Sequence, residues 1–386
     1  MKNSSYILLF IVCCLLYGCT EEEMETAKSP YMGNLHFSTN GTSPDSLYLI
    51  AERIVNFTSY AMAHSVSKDN GHFIYNCPSS ISGKRNRKIS AYPVKIGNYV
   101  VCGVNCSSKD FTSSFLEKIA AGEGSSNLLL EQRTYNLTDK EILSKRPVGS
   151  IVSERWNDNN AYSKYITPLT KEVVLANSLL YDVEKDKTTE IQLDTKIRSV
   201  KLNVKFTIKK DLKDEPFCIT MVETELSGIP GKLEIHSGKA DCSETYKVFY
   251  NTKIDELDTY DNTQVKCAGE VNVLSLQLPK SVAMSSGPGI LQIMVHVRTK
   301  NGINKVLSGK INLYNTIKNA KIAENLGGNM LRNLKNQATL DINADCIISS
   351  SKMESDISEV TGIDSWQAID EVIIIESDAP EEIDSK

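Results

Sequence analysis

The sequence has few of the residues that most often carry catalysis or bind metals. Five histidines and two tryptophans are spread over 386 residues. No Gly-x-Ser-x-Gly, His-Glu-x-x-His, paired Cys-x-x-Cys or glycine-rich phosphate motif is present. We therefore expect no enzyme, no cofactor and no metal site. Glycoside hydrolysis requires only two carboxylates at a suitable separation, so a hydrolase without a readable motif stays an alternative.

An excess of charge of one sign is also missing. The chain has 43 Lys and Arg against 48 Asp and Glu, a formal net charge of −5. Nucleic-acid-binding proteins usually present a clustered basic face, so no nucleic acid partner is expected. After the N terminus, no apolar run approaches the roughly 18 residues that a membrane-spanning helix requires. The rest of the chain is therefore expected to form a soluble body with one large core or two ordinary ones.

The chain begins with an export signal. Lys2 precedes an apolar run over 6–16, and Gly18 and Cys19 follow it. The run is too short to cross a bilayer core of about 30 Å, which is typical of a secretory signal peptide. A cysteine directly after a small residue resembles a bacterial lipobox. This implies that 1–18 are a lipoprotein signal peptide and that Cys19 is lipidated. The alternative is an ordinary signal that ends in a cysteine.

An acidic stretch follows the cysteine. Glu21, Glu22, Glu23 and Glu25 lie within six residues, and 19–34 are interpreted as a solvated tether. Acids at this position resemble the surface-export signal of lipoproteins from gut and oral Gram-negative anaerobes. This implies an outer-membrane, lipid-anchored protein that faces the cell exterior, with retention in the periplasm as the alternative.

The cysteine count argues against a disulfide framework. Without the signal peptide and Cys19, an odd number of cysteines remains, which cannot all pair within one chain. Several lie in apolar surroundings, where a thiol behaves as a small buried hydrophobe. Cys102 and Cys106 have no further ligands at short spacing, as zinc would require. The remaining cysteines are Cys77, Cys102, Cys106, Cys218, Cys242, Cys267 and Cys346.

The first half of the body alternates with the period of β-strands. Residues 46–57 and 72–75 are predicted to be strands, and 89–101 are predicted to be two short strands around a turn at Gly97-Asn98. Pro93 suits only an edge strand or the first residue of a strand. A short helix is expected near 111–121. Loops follow, up to a domain boundary near residue 165. We therefore predict an N-terminal β-sandwich over 35–165.

The second half shows a more regular alternation. Residues 193–208 are predicted to be one half-buried antiparallel strand, and Asn301-Gly302 predicts a two-residue hairpin turn. This spacing of short strands and turns is typical of a sandwich, here over 166–386. The other predicted strands are 217–225, 245–250, 271–278, 290–299, 305–313 and a closing strand 339–348. The other predicted turns are 229–231, 237–238 and 286–289.

Three features of the loops and the C terminus carry functional hypotheses. Val372, Ile373, Ile374 and Ile375 form an isolated apolar run, and such a strand needs cover on both faces. It therefore either completes its own sheet or inserts into a neighbour's. Both tryptophans, Trp156 and Trp366, lie among polar residues. Each is either a sugar-stacking platform or a plug for the end of a sandwich.

Several short motifs resemble those of one family. They lie at 93–105, 198–206, 225–231, 237–238 and 362–367. Together they resemble the fimbrillin-like lipoproteins of the type V pilus superfamily. The resemblance implies two transthyretin-like, Greek-key β-sandwiches on a lipid anchor. It also implies a pilus subunit, tip adhesin or anchor whose subunits join by β-strand addition.

The resemblance also implies partners and processing. The partners would be other fimbrial subunits, a host or bacterial surface protein or glycan, and the outer membrane through the lipid. Polymerising subunits are cut after a basic residue, for which Arg146 and Arg155 are the candidates. Residues 372–375 would be the donor or closing strand. The alternative function is a non-polymerising, glycan-binding surface lipoprotein, with Trp156 and Trp366 as the contacts.

Overall fold

The chain folds almost entirely into β-strands. The computed structural model describes residues 31–41, 46–55, 58–69, 72–77, 87–89, 92–120, 128–136, 139–140, 164–177, 180–213, 215–255, 257–282, 284, 286–342, 346–349 and 372–375. In these ranges two short helices occur, α1 (Ser114–Ala120) and α2 (Tyr314–Ala320). The predicted all-β class with short helices is therefore confirmed.

The strands are β1 (Met32–Gly41), β2 (Ser46–Val55), β3 (Thr58–Asp69), β4 (His72–Cys77), β5 (Arg87–Ile89), β6 (Tyr92–Lys95), β7 (Gly97–Asn105), β8 (Leu129–Glu131), β9 (Thr134–Asn136), β10 (Lys164–Ile166), β11 (Val174–Asn177), β12 (Tyr181–Val183), β13 (Thr188–Ile197), β14 (Val200–Asp211), β15 (Phe217–Glu234), β16 (Ala240–Ile254), β17 (Gln264–Val273), β18 (Ile290–Thr299), β19 (Asn304–Asn312), β20 (Ala323–Asn325), β21 (Met330–Asn333), β22 (Gln337–Asp341), β23 (Cys346–Ser349) and β24 (Val372–Ile375).

The first sheet has the order β5-β4-β3-β2-β7-β11-β13-β1-β6, with β12 beside β7. Strand β1 runs parallel to β13, whereas β6 pairs with β1 in antiparallel fashion and ends the sheet. Alternate side chains of β13, including Ile191 and Leu193, are fully buried. With Leu35, Phe37 and Tyr99 they form an apolar core on one face of this sheet.

The second sheet has the order β22-β14-β17-β16-β15-β18-β19-β24. Strand β16 pairs with β15 along most of its length, but with β17 only over residues 252–254. The sheet therefore folds over along β16, and its two layers enclose the largest apolar core. The predicted alternation in β14 is confirmed, because five alternate side chains point into this core. These are Val200, Leu202, Val204, Phe206 and Ile208.

A third apolar cluster, which we call the junction core, connects the two sheets. The first sheet contributes residues such as Ile50 and Val104, and the end of β15 contributes Leu233. Helix α1 also packs here, with the Phe115 ring edge-on to Tyr48 at 6.0 Å between centroids. The other buried members are Cys102, Phe111, Leu128, Leu130, Leu169, Val173, Leu175, Ile235, Ala240, Cys242, Leu274 and Leu331.

The prediction of one continuous strand over 193–208 was wrong. The chain breaks between β13 and β14, which belong to different sheets. Residues 198–199 are held at the crossing, because the Arg198 amide donates to the Val173 carbonyl and the Ser199 hydroxyl accepts from the Val173 amide. The buried positions are 191, 193 and 195 in β13 but 200, 202 and 204 in β14, so the alternation changes phase at the break.

The turn predicted at 229–231 was also wrong. These residues lie inside β15, at a register irregularity in its pairing with β16. A Cβ at Gly231 would lie 2.5 Å from the Tyr246 ring, so the glycine permits close packing of β16. The strand predicted at 271–278 overlaps β17, which begins earlier, at Gln264, and ends at Val273. The turn predicted at 237–238 connects β15 and β16, and Gly238 has a φ of 67°.

Two further predicted segments differ from the structure in where their strands begin, end and pair. The break within 89–101 falls at Ile96, and β6 and β7 pair with different neighbours instead of forming a hairpin. Pro93 lies in the edge strand β6, opposite Asn34. The predicted closing strand is two short strands, β22 and β23, which both run parallel to β14.

Sheet membership crosses the predicted domain limit near residue 165 in both directions. Strands β11 and β13, after this limit, pair within the first sheet. Strands β8 and β10, before or at it, pair with β15 and β16 of the second. Between β1 and its parallel partner β13, the chain forms β2–β7 of the first sheet and then β8–β10 of the second.

Candidate strand-addition edge

In the second sheet, β19 lies between β18 and the C-terminal strand β24. It pairs along its length with β18, from Ile290 opposite Asn312 to Arg298 opposite Asn304. The predicted hairpin at Asn301-Gly302 connects the two strands, and Gly302 has a φ of 81° that favours glycine. The turn therefore fixes the register of β19.

The other edge of β19 receives the C-terminal strand of the same chain. Strand β24 runs parallel to β19, with Val372 opposite Ser308 and Ile375 opposite Ile311. The preceding described strand, β23, ends at Ser349. A long stretch of sequence therefore separates β24 from the strand before it, and the contact between β24 and β19 is short.

The structure anchors β19 from its other side and from its end. Leu307 and Ile311 point into the large core, and Ile311 is fully buried. The Asn312 side-chain Nδ2 donates to the backbone carbonyls of Ser281 and Met284, at 2.9 and 2.8 Å. The Asn312 Oδ1 accepts from the backbone amide of Tyr314. The edge that pairs with β24 is thus held in place by β18, by the large core and by the Asn312 side chain.

Buried charges lie on the strands behind this edge. Glu223 of β15 is 2.7 Å from the His296 Nε2 of β18, and Glu225 is 2.7 Å from the Lys247 Nζ of β16. The Tyr165 hydroxyl also donates to Glu225. Buried charges are tolerated only when they are paired and hydrogen-bonded, so these pairs restrict how the strands can pack. The sequence signal was the alternation of Glu223 and Glu225 within an apolar strand.

Most of the predicted site residues lie outside the described ranges. These are the lipidation candidate Cys19, the processing candidates Arg146 and Arg155, and the tryptophans Trp156 and Trp366. The structure places only the run 372–375, as β24. The geometry therefore brings together the C-terminal run and the β19 edge, and the roles of the other five residues stay predictions.

Among the cysteines whose side chains the structure describes, five are free thiols. Burial raises the pKa of Cys106, Cys267 and Cys346 to about 12. A thiol reacts as its thiolate, so these three groups are unreactive at neutral pH. The five free thiols are Cys106, Cys218, Cys242, Cys267 and Cys346, and the Cys102 Sγ lies 3.8 Å from the His236 Nδ1.

The described ranges contain neither a candidate metal cluster nor a candidate membrane-spanning helix. No group of three or more His, Cys, Asp or Glu side chains is placed so that it could hold a metal ion. In the same part of the chain, no helix has both the length and the apolar character to cross a bilayer.

Comparison with known proteins gave structural likenesses only. No family model matches the chain, and no curated protein matches it. A candidate adhesin from Bacteroides ovatus is 10% identical, with a TM-score of 0.42 over 86% of this chain and 96% of that one. A candidate adhesin from Bacteroides thetaiotaomicron is 13% identical, with a TM-score of 0.40 over 83% and 92%.

The fimbrial anchor protein Mfa2 from Porphyromonas gingivalis is 12% identical, with a TM-score of 0.39 over 80% of this chain and 88% of that one. These proteins are described as adhesins and a fimbrial anchor, the group that the sequence motifs resemble. At these identities and TM-scores the likenesses decide neither family nor function. The all-β class rests on the strand pairing described above.

Proposed function

We propose that this protein is a cell-surface lipoprotein that acts as a fimbrial component, as a subunit, tip adhesin or anchor, and that its subunits join by β-strand addition. In this proposal Cys19 carries the lipid that holds the chain on the outer membrane. The protein binds its neighbours and catalyses no reaction.

The pairing of β24 with β19 is the observation that carries the proposal. A four-residue parallel pairing contributes few hydrogen bonds, and each adds only about 1 kcal/mol net. The rest of β19 is fixed by β18 and by the large core. Such an edge holds its shape when the added strand leaves, so the same run from another subunit fits it equally well.

A truncation before Val372 tests strand addition directly. We expect the truncated protein to bind a labelled peptide of sequence 370–377, and the full chain to bind it more weakly because β24 competes. The matched control peptide carries Ile373→Pro and Ile375→Pro, since proline removes the backbone donors of an added strand. Equal binding of both peptides would contradict addition at this edge.

Assembly and lipidation distinguish the proposal from a glycan-binding lipoprotein. We expect the full chain, expressed with its neighbours, to copurify with them or to form ladders on gels, and a Cys19→Ala variant to lose incorporated palmitate. A shift on polysaccharide gels that disappears in Trp156→Ala, together with no assembly, would favour the glycan-binding alternative.

A further inference from the structure

Strands β15 and β16 separate at one end of the second sheet. They pair up to Glu223 opposite Asn251. Beyond that point β16 turns to β17, with Thr252 opposite Gly269, while β15 continues beside β18. Over residues 217–222, β15 therefore has a strand partner on one side only among the residues that the structure describes.

A groove of about 540 Å³ occupies the gap. One wall is the unpaired edge of β15, and the other is the end of β16 with the loop that follows it. Apolar side chains contribute to both walls, and Leu257 on the rim is 96% exposed. The lining residues are Ile219, Thr220, Met221, Val222, Asn251, Thr252, Ile254, Asp255, Leu257 and Asp258.

A buried ion pair holds the groove open. The Lys210 ammonium is 2.9 Å from the Asp258 carboxylate, and neither side chain is exposed. Lys210 also donates to the Thr259 carbonyl, and Asp258 accepts the Ile219 amide at 2.6 Å. Asp258 therefore occupies one position that a neighbouring strand would take on β15, and it fixes the loop at a distance from that strand.

The groove lies far from the first sheet. Strand β15 reaches the junction core at Leu233 and extends for 18 residues back to Phe217. The groove is beside the Phe217 end, next to the β18–β19 hairpin, whose Lys300 amide donates to the Pro216 carbonyl.

The lining favours an extended peptide over a sugar. Sugars bind proteins on exposed aromatic faces, and the groove is lined by aliphatic and polar side chains without an aromatic residue. An unpaired strand edge between apolar walls suits strand addition, in which alternate side chains enter the walls. Asp255 is exposed and forms no ion pair with a described residue, and the lining contains no Lys or Arg. A cation on the peptide would therefore match the groove.

We infer that this groove, the β15–β16 cleft, binds an extended peptide segment of another protein that has apolar side chains at alternate positions and a Lys or Arg facing Asp255. The site is separate from the β19 edge and goes beyond the proposed assembly function. It requires no removal of a strand from this chain.

A charge swap tests the inference. The probe is a labelled short peptide of alternating valine and threonine with one terminal lysine, and its affinity is measured by fluorescence anisotropy. We expect Asp255→Lys to weaken binding at least tenfold, and a probe with glutamate in place of lysine to restore it. Asp182→Lys is the matched control, since Asp182 is also exposed, forms no ion pair with a described residue and lies in the first sheet, outside the lining. This variant is expected to bind as the unmodified protein does.

Hydrogen exchange locates the bound peptide. We expect the probe to protect amides within 220–222 and to leave those of β19 unchanged, since the Ile219 amide already donates to Asp258. Equal binding by Asp255→Lys, protection at β19 instead, or displacement of the probe by a neutral oligosaccharide would overturn the inference. A variant truncated before Val372 should keep full affinity for the probe, so a failure of assembly and a failure of the cleft give different results.

Discussion

The two sheets of this protein differ in the burial of their ion pairs and in their edge strands. In the second sheet, ion pairs such as Lys210–Asp258 and Lys247–Glu225 are buried. In the described part of the first sheet, ion pairs such as Lys196–Asp194 are exposed. The edges differ as well, because the first sheet ends at β6 with Pro93, while the second accepts β24 at β19.

This difference shows which sheet specifies geometry. Buried charges fix strand positions, because removing one partner leaves the other uncompensated. Exposed pairs contribute little, because water screens them. A proline in an edge strand lacks an amide donor and opposes the addition of another strand. The buried pairs thus fix the strands behind the edge that β24 covers, and Pro93 disfavours strand addition at the β6 edge of the first sheet.

Removing a buried charge should give the largest effect. We expect Asp258→Ala to lower the free energy of unfolding by about 3–5 kcal/mol, because Lys210 would remain buried without its partner. Asp194→Ala, in the exposed pair of the first sheet, is expected to cost at most about 1 kcal/mol. Urea unfolding measures both, and similar costs would contradict the difference between the sheets.

Loss of β24 should have an intermediate effect. Truncation before Val372 removes the pairing at Ser308 and Ile311, and we expect stability to fall by about 1–3 kcal/mol. Amide exchange at 308–311 should become at least tenfold faster, while β18 keeps its protection. Unchanged exchange at these residues would show that β24 does not cover this edge.

Alkaline pH should destabilise the large apolar core of the second sheet. Burial raises the pKa of Cys267 and Cys346 to about 12, from an ordinary value of 9.0. The folded state therefore binds protons that the unfolded state loses, so this contribution is complete below pH 9 and declines as pH rises from about 9 to 12. We expect Cys346→Ala to flatten the decline in unfolding free energy over this range. Cys218→Ala, at a half-buried position, serves as the control, and an unchanged slope in Cys346→Ala would contradict the explanation.

Replacing the edge proline should have the smallest effect. Pro93→Val restores a backbone donor to β6, and we expect a change in stability of less than about 1 kcal/mol together with increased self-association. Analytical ultracentrifugation measures the association. A variant that remains as dispersed as the unmodified chain would show that Pro93 does not protect this edge.

Several elements could be predicted from the sequence because local patterns encode them. The alternation over 200–208, the Asn301-Gly302 hairpin and the short helix near 114–120 each depend on neighbouring residues. The turn at Ile229-Pro230-Gly231 was predicted incorrectly, because Pro and Gly occur both in turns and at irregularities within strands. Only the packing of Tyr246 against Gly231 distinguishes the two.

Less of the candidate sites could be predicted, because they depend on contacts between distant parts of the chain. The apolar run 372–375 was visible in the sequence, but its partner β19 lies far away in the chain. The β15–β16 cleft had no signal at all, because it arises where two paired strands take different neighbours.

The sequence by itself determined an all-β body and the faces that strands such as β14 bury. These properties follow from residue type and spacing along the chain. The tertiary structure decided which strands share a sheet, where β13 gives way to β14, and which backbone edges have partners. Hydrogen bonds between strands join residues that are distant in sequence, and alternation looks the same whichever neighbour a strand selects.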